Sequence, residues 1–211
     1  MRTSPLSTRP YVFCSTLCST LGLLLLLAFC RASAQDSQPI ERKGTLDLSV
    51  WVAAQTGEEI TNSFAESQIV SAGAFVGWAI TGEHLNGWRR GSLEYAFGVM
   101  PLFVTFGTQR ISGYGFDPVI LRWNSALHTS RVSPYIEIAG GAVITAANLP
   151  PGNTSSFNFT PRGGGGIYIR SRPRQAFDVG FRWSHISNAN LGVDNPEFNG
   201  VQLSLAYHWF K

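Results

Sequence analysis

The sequence predicts an all-β fold, an eight-stranded antiparallel transmembrane β-barrel. Three observations lead there. Apolar residues recur with period two in eight segments, the spacing of strands that show one face to each environment. Charged residues are only 14% of the chain, where a soluble domain carries about 25%. Long amphipathic helical patterns are missing, while glycine, at 22 residues, and aromatics, at 12%, are abundant.

Residues 1–34 read as a secretory signal peptide. Arg2 and Arg9 give a basic start, residues 21–29 form an apolar run, and Ala32-Ser33-Ala34 is a small-x-small cleavage site before Gln35 and Asp36. The run is short of the roughly 20 apolar residues of a spanning helix. Cys30 follows it in Leu27-Ala28-Phe29-Cys30, but the bulky Phe29 argues against lipoprotein processing. Residues 35–211 are then the exported barrel, one domain large enough to bury a core.

Export changes what the composition means. Of 16 basic residues, Arg2, Arg9 and Arg31 leave with the signal, so 13 remain against 13 acidic ones. The apparent basicity belongs to the signal, and a nucleic-acid partner has no electrostatic support. Cys14, Cys18 and Cys30 leave as well, which excludes disulfides, a thiol nucleophile and a cysteine-ligated metal. His84 and His128 stand alone in predicted turns. No cluster has ligand spacing, so no metal is assigned.

The strands follow in order. Leu46, Leu48, Val50 and Val52 alternate with Asp47, Ser49 and Trp51, and Val70, Ala72, Ala74, Val76, Trp78 and Ile80 alternate with smaller residues. Leu93, Tyr95, Phe97 and Val99 alternate with Glu94, Ala96 and Gly98; Val119, Leu121 and Trp123 flank Arg122. Weaker segments cover 134–145 and 163–170. Phe177, Val179, Phe181 and Trp183 then alternate with Asp178, Gly180, Arg182 and Ser184, and Val201, Leu203, Leu205, Tyr207 and Trp209 alternate with Gln202, Ser204, Ala206 and His208.

Alternation does not say which face points out. A lipocalin-like barrel is apolar inside and polar outside, and a membrane barrel is the reverse. Here the second face consists of Gly, Ala and Ser with occasional Asp47, Glu94, Arg122, Asp178 and Arg182. Such a face suits the narrow, filled interior of eight strands and would cover a soluble surface poorly. The membrane barrel is therefore expected, in the bacterial outer membrane, with its apolar wall in lipid. The four glycines at 163–166 lie within a strand and not before a helix, so they are expected to bend it or admit a bulky neighbour, not to hold phosphate.

The chain ends "FRWSHISNANLGVDNPEFNGVQLSLAYHWFK". If it starts in the periplasm, the seventh strand ends at the cell exterior near His185, on the side of the longer connections around 56–68, 104–114 and 146–161. His185 and Ser187 share the odd parity of Phe181 and Trp183 and so face lipid; Glu197 and Asn199 share that of Val201 and Leu203 on the returning strand. A serine two residues from a histidine on one strand face lets the imidazole take the hydroxyl proton, the nucleophile and base of acyl transfer. An acceptor on the neighbouring strand would complete a triad. The alternative is a polar pair at the membrane interface.

"HISNANLGVDNP" before a last strand ending "YHWF" resembles the lipid A 3-O-deacylases, also called acyloxyacyl hydrolases: eight-stranded outer-membrane barrels with a His-x-Ser-Asn motif on the penultimate strand. The resemblance implies His185 as general base, Ser187 as nucleophile and Asn188 as oxyanion stabiliser. It implies lipid A, or lipopolysaccharide, in the outer leaflet as the partner, cut at a fatty-acyl ester without a cofactor. The family's third member is a glutamate near the start of the last strand. On the family's spacing that position is Asn199, while the available acid, Glu197, lies two residues earlier on the same face, about 7 Å along the strand. Either Glu197 serves, or Asn199 orients His185 without a charge. The rival expectation is a non-enzymatic structural or adhesion barrel whose outer loops carry the function.

Overall fold

A computed structural model describes residues 42–57, 67–107, 109–126 and 131–211. The expected signal peptide and His128 lie outside these residues. Nine strands are antiparallel neighbours: β1 (Leu46–Gly57), β2 (Gln68–Ala79), β3 (Gly91–Phe106), β4 (Ser112–Ser125), β5 (Val132–Thr145), β6 (Phe157–Phe159), β7 (Arg162–Arg172), β8 (Gln175–Ile186) and β9 (Phe198–Phe210). The order β4-β3-β2-β1-β9-β8-β7-β5, closed by pairing of β4 with β5, makes a barrel.

The barrel has eight staves, because β6 and β7 are one strand. Phe159 pairs with Ala142 and Ser187, and Arg162 pairs with Ala139 and Ser184, so β6 and β7 keep one register against both neighbours. Pro161 interrupts them: it has no N–H for the ladder, although its carbonyl still accepts the His185 N–H at 2.9 Å. Two further prolines sit at register shifts. Pro101 lies in the shift between Met100 and Phe103 of β3, and Pro118 in the shift between Phe116 and Val119 of β4. Both are bulge positions, where a missing donor costs no ladder bond.

The inversion expected from the charge count is present. Val50, Val52, Val99, Ile136, Ile138, Phe181, Trp183 and Leu203 are exposed on the outer wall, while Asp47, Glu94, Arg122, Glu137, Asp178, Arg182 and His208 are buried inside. Exposed aromatics mark both ends of the wall, Trp78 and Trp209 at the end where β1 starts and β9 finishes, here the terminus end, and Phe106, Tyr114 and Phe159 at the far end.

The interior at the terminus end is an ion-pair lattice. Arg122, 1% exposed, donates to Glu137 at 2.7 and 3.0 Å, to Glu94 at 3.4 Å and to the Tyr168 hydroxyl at 2.5 Å. Glu137 also accepts from Arg182. His208 pairs with Asp47 at 2.8 Å, and Tyr135 donates to Asp178. Gly166 makes room for Tyr135: a Cβ there would lie 2.5 Å from the phenol oxygen. The glycine run thus admits a bulky interior neighbour, as its strand context suggested. At the far end the lumen is apolar, filled by Ile69, Met100, Phe103, Ile111, Val143, Leu149, Ile186 and Phe198.

Removing one member of a buried ion pair strands its partners, at a cost of about 3–5 kcal/mol. Arg122→Met should therefore lower the urea midpoint of the protein refolded in lipid vesicles, followed by tryptophan fluorescence. Ile138→Ala, on the lipid-facing wall, should shift that midpoint far less.

Candidate active site

The end of β8 carries two polar side chains on the lipid-facing parity, His185 and Ser187, both half-buried. Ser187 lies one residue past β8 but is still held in the sheet: the Phe159 N–H donates to its carbonyl at 2.8 Å, and its own N–H donates to the Phe159 carbonyl at 3.2 Å. Inward-facing Ile186 and Phe198 pair across the strands and sit in the apolar plug. The plug therefore fixes the backbone from which the outward pair projects.

Asn199, on β9, is the register partner of His185. Its Oδ1 lies 2.7 Å from His185 Nδ1, and His185 Nε2 lies 3.0 Å from Ser187 Oγ. Asn199 Nδ2 donates to Glu197 Oε2 at 3.5 Å, a long contact beside the usual 2.9–3.0 Å of such bonds. These contacts assign the protons. With its amide nitrogen toward Glu197, Asn199 presents its oxygen to His185, so Nδ1 donates and the lone pair of Nε2 is left to accept from the serine hydroxyl. Trp183, two residues earlier on the same face, stacks on the imidazole with ring centroids 5.9 Å apart and planes 18° apart.

Of the two candidates for the third position, the register brings Asn199 into direct contact with His185, and Glu197 reaches it only through Asn199. Asn188 is placed differently. It is 1% exposed, on the inward parity; its N–H donates to Asn195 Oδ1 at 2.9 Å and its Nδ2 to the Asp194 carbonyl at 2.8 Å. Ala189 and Asn190 then turn the chain with φ of 52° and 63°. Asn188 thus ties the 188–195 loop closed beside Ser187. Sequence reasoning did not single out Asn195, Asp194 or Trp183. Only Trp183 left a signal, its parity with His185.

Fold and wall together define the class: an eight-stranded outer-membrane β-barrel with a hydrogen-bonded Ser-His-Asn constellation on its lipid-facing side. A family model described as lipid A 3-O-deacylase (PagL) matches residues 72–208, well over half of the sequence, and the chain belongs to that family. No curated protein sequence matches it. Among solved structures, the outer membrane enzyme PagL is 19% identical, with a TM-score of 0.55 over 76% of this chain and 97% of that one. The outer membrane protein OprG from Pseudomonas aeruginosa is 9% identical, with a TM-score of 0.50 over 81% and 97%. At these identities the likeness is one of fold.

The loop geometry has a measurable consequence. Asn188→Ala removes the bond to the Asp194 carbonyl, so limited proteolysis should nick residues 189–195 faster than in the parent protein. The heat-modifiable gel shift of the closed barrel should persist.

Proposed function

We propose that this protein is an outer-membrane serine esterase that hydrolyses one ester-linked fatty-acyl chain of lipid A. The observation that carries the reading is the continuous contact from Ser187 Oγ through His185 to Asn199, 3.0 and 2.7 Å long, on a wall whose solvent is acyl chains. Family membership supplies the substrate class. In this reading residues 1–34 are a cleaved signal, and the end of the barrel where β1 starts and β9 finishes, with Leu46 and Lys211 exchanging backbone hydrogen bonds, faces the periplasm. The constellation at the opposite end then lies at the outer leaflet.

The reaction follows from the proton positions. Nε2 of His185 takes the Ser187 proton as Oγ attacks the ester carbonyl. The tetrahedral intermediate collapses, the bond between the acyl carbon and the sugar oxygen breaks, and the imidazolium gives its proton to that oxygen as the sugar leaves with a free hydroxyl. Water, deprotonated by the same Nε2, then attacks the acyl-enzyme, and the fatty acid leaves as Ser187 regains its proton. No cofactor enters. Asn199 holds the ring and its tautomer but brings no negative charge to the imidazolium, so stabilisation of that cation falls to the more distant Glu197. Asn188, the expected oxyanion donor, gives one Nδ2–H to the Asp194 carbonyl and keeps a second for the substrate oxygen.

Ser187→Ala and His185→Ala should each lower fatty-acid release by at least about 10³-fold while the barrel stays folded, since neither side chain fills the core. Asn199→Ala should lower turnover more than Glu197→Gln. Asn199→Glu, which puts a carboxylate at the family's third position, should raise it. The measurement is mass spectrometry of lipid A from a host expressing each folded variant. Identical lipid A profiles from wild type and Ser187→Ala would sink the hydrolase reading in favour of a structural or adhesion barrel.

A further inference from the structure

Two loops meet beside the constellation. The Asp194 N–H donates to the Asn153 carbonyl at 2.9 Å, and a Cβ on Gly192 would lie 2.8–3.0 Å from the backbone of Thr154. Gly192 therefore lets the 188–196 segment lie against the 151–154 segment with no side chain between them. A groove runs along this junction, lined chiefly by Asn153, Thr154, Asn190, Val193, Asp194 and Pro196. It is fastened to the residue after the proposed nucleophile: Asn188 donates to Asn195 Oδ1 through its N–H and to the Asp194 carbonyl through its side chain. One wall of the groove is thus the loop that begins directly after Ser187.

The chemistry of the lining is specific. Among the described residues, the side chains of Asn153, Asn190 and Asp194 make no hydrogen bond within the protein and are exposed to the groove. The lining contains one carboxylate and no Lys, Arg or His. Phosphate sites commonly rely on cationic side chains, and the lining supplies none. Sugar hydroxyls, which donate and accept at once, match an acceptor-only carboxylate flanked by carboxamides that do both. The backbone adds to this. Consecutive left-handed Ala189 and Asn190 are a conformation that L residues other than glycine adopt at a cost, and it sets Asn190 on the groove.

We propose that this groove holds the sugar headgroup of the lipid substrate by its hydroxyls, and not by phosphate. The inference rests on the hydrolase reading for its substrate class and deepens it: the groove seats the sugar while the acyl chain lies along the lipid-facing wall, which sets the ester carbonyl relative to Ser187. Asp194 and Asn190 are specificity residues in this scheme and take no part in proton transfer.

The test separates binding from turnover. The Ser187→Ala protein, folded in detergent, is titrated with an unphosphorylated glucosamine disaccharide and with its phosphorylated counterpart, and binding is read by saturation-transfer NMR. Asp194→Ala and Asn190→Gly are made in the same background; glycine keeps the left-handed backbone at 190 without strain. The expected result is binding of the unphosphorylated sugar, at least tenfold weaker in either variant, with no gain from phosphate. The heat-modifiable gel shift should be unchanged throughout. Absence of binding, equal binding by the variants, or tighter binding of the phosphorylated sugar would each overturn the proposal. Fatty-acid release by wild type is measured separately. Sugar binding without release would leave the groove standing and remove the hydrolase; release without sugar binding would do the opposite.

Discussion

The hydrocarbon core of a bilayer can neither accept nor donate a hydrogen bond, and from this the barrel's architecture follows. Every backbone polar group of a spanning strand must find its partner within the sheet, so the sheet has to close, as it does where β4 meets β5 and β1 meets β9. Closure then sorts the side chains. The outer parity goes to Val, Ile, Leu, Phe and Trp, and the charges of the spanning strands turn inward. Inside a narrow barrel those charges are removed from bulk water, and the shared lattice of Arg122, Arg182, Glu137 and their neighbours offsets that cost. One arginine bonded to several acceptors holds β3, β4, β5 and β7 to a common centre.

Against that sorting, His185, Ser187 and Asn199 stand out as polar groups on the apolar parity. Each finds its hydrogen-bond partner in the others, which removes the penalty of an unpaired polar group in a poorly hydrated place. Rigidity comes from behind the wall, where Ile186 and Phe198 pack into the plug, and from the side, where Phe159 completes the ladder to Ser187. Trp183 packs on the remaining face of the imidazole. The geometry is therefore set by ordinary sheet and core packing, with few contacts devoted to it alone.

Much of this was legible in the sequence, and what was not has physical reasons. Parity sufficed for the inward and outward faces of β1, β2, β8 and β9, and it placed His185 and Ser187 on the outer wall beside Asn199 and Glu197. It lost the far halves of β3 and β4, because bulges at Pro101 and Pro118 shift the register and break the alternation in mid-strand. The length of the sixth stave was hidden by Pro161, a residue that reads as a strand breaker. Register set which of Asn199 and Glu197 touches His185, and register is a property of two strands and the loop joining them, not of either strand alone. The closure of the 188–195 loop on Asn188 rests on contacts between residues six and seven apart in an irregular segment, for which no periodicity exists to be read.

The apolar layer across the far end of the lumen bears on how many copies a cell can carry. Porin-type barrels trade copy number against leakiness, since each one adds a column of water through the membrane. Here apolar side chains from β2, β3, β5, β8 and β9 pack together inside the far end of the lumen, where a porin would hold a polar, water-filled column. Abundance can then follow the demands of the outer surface, and the permeability barrier sets no ceiling on it.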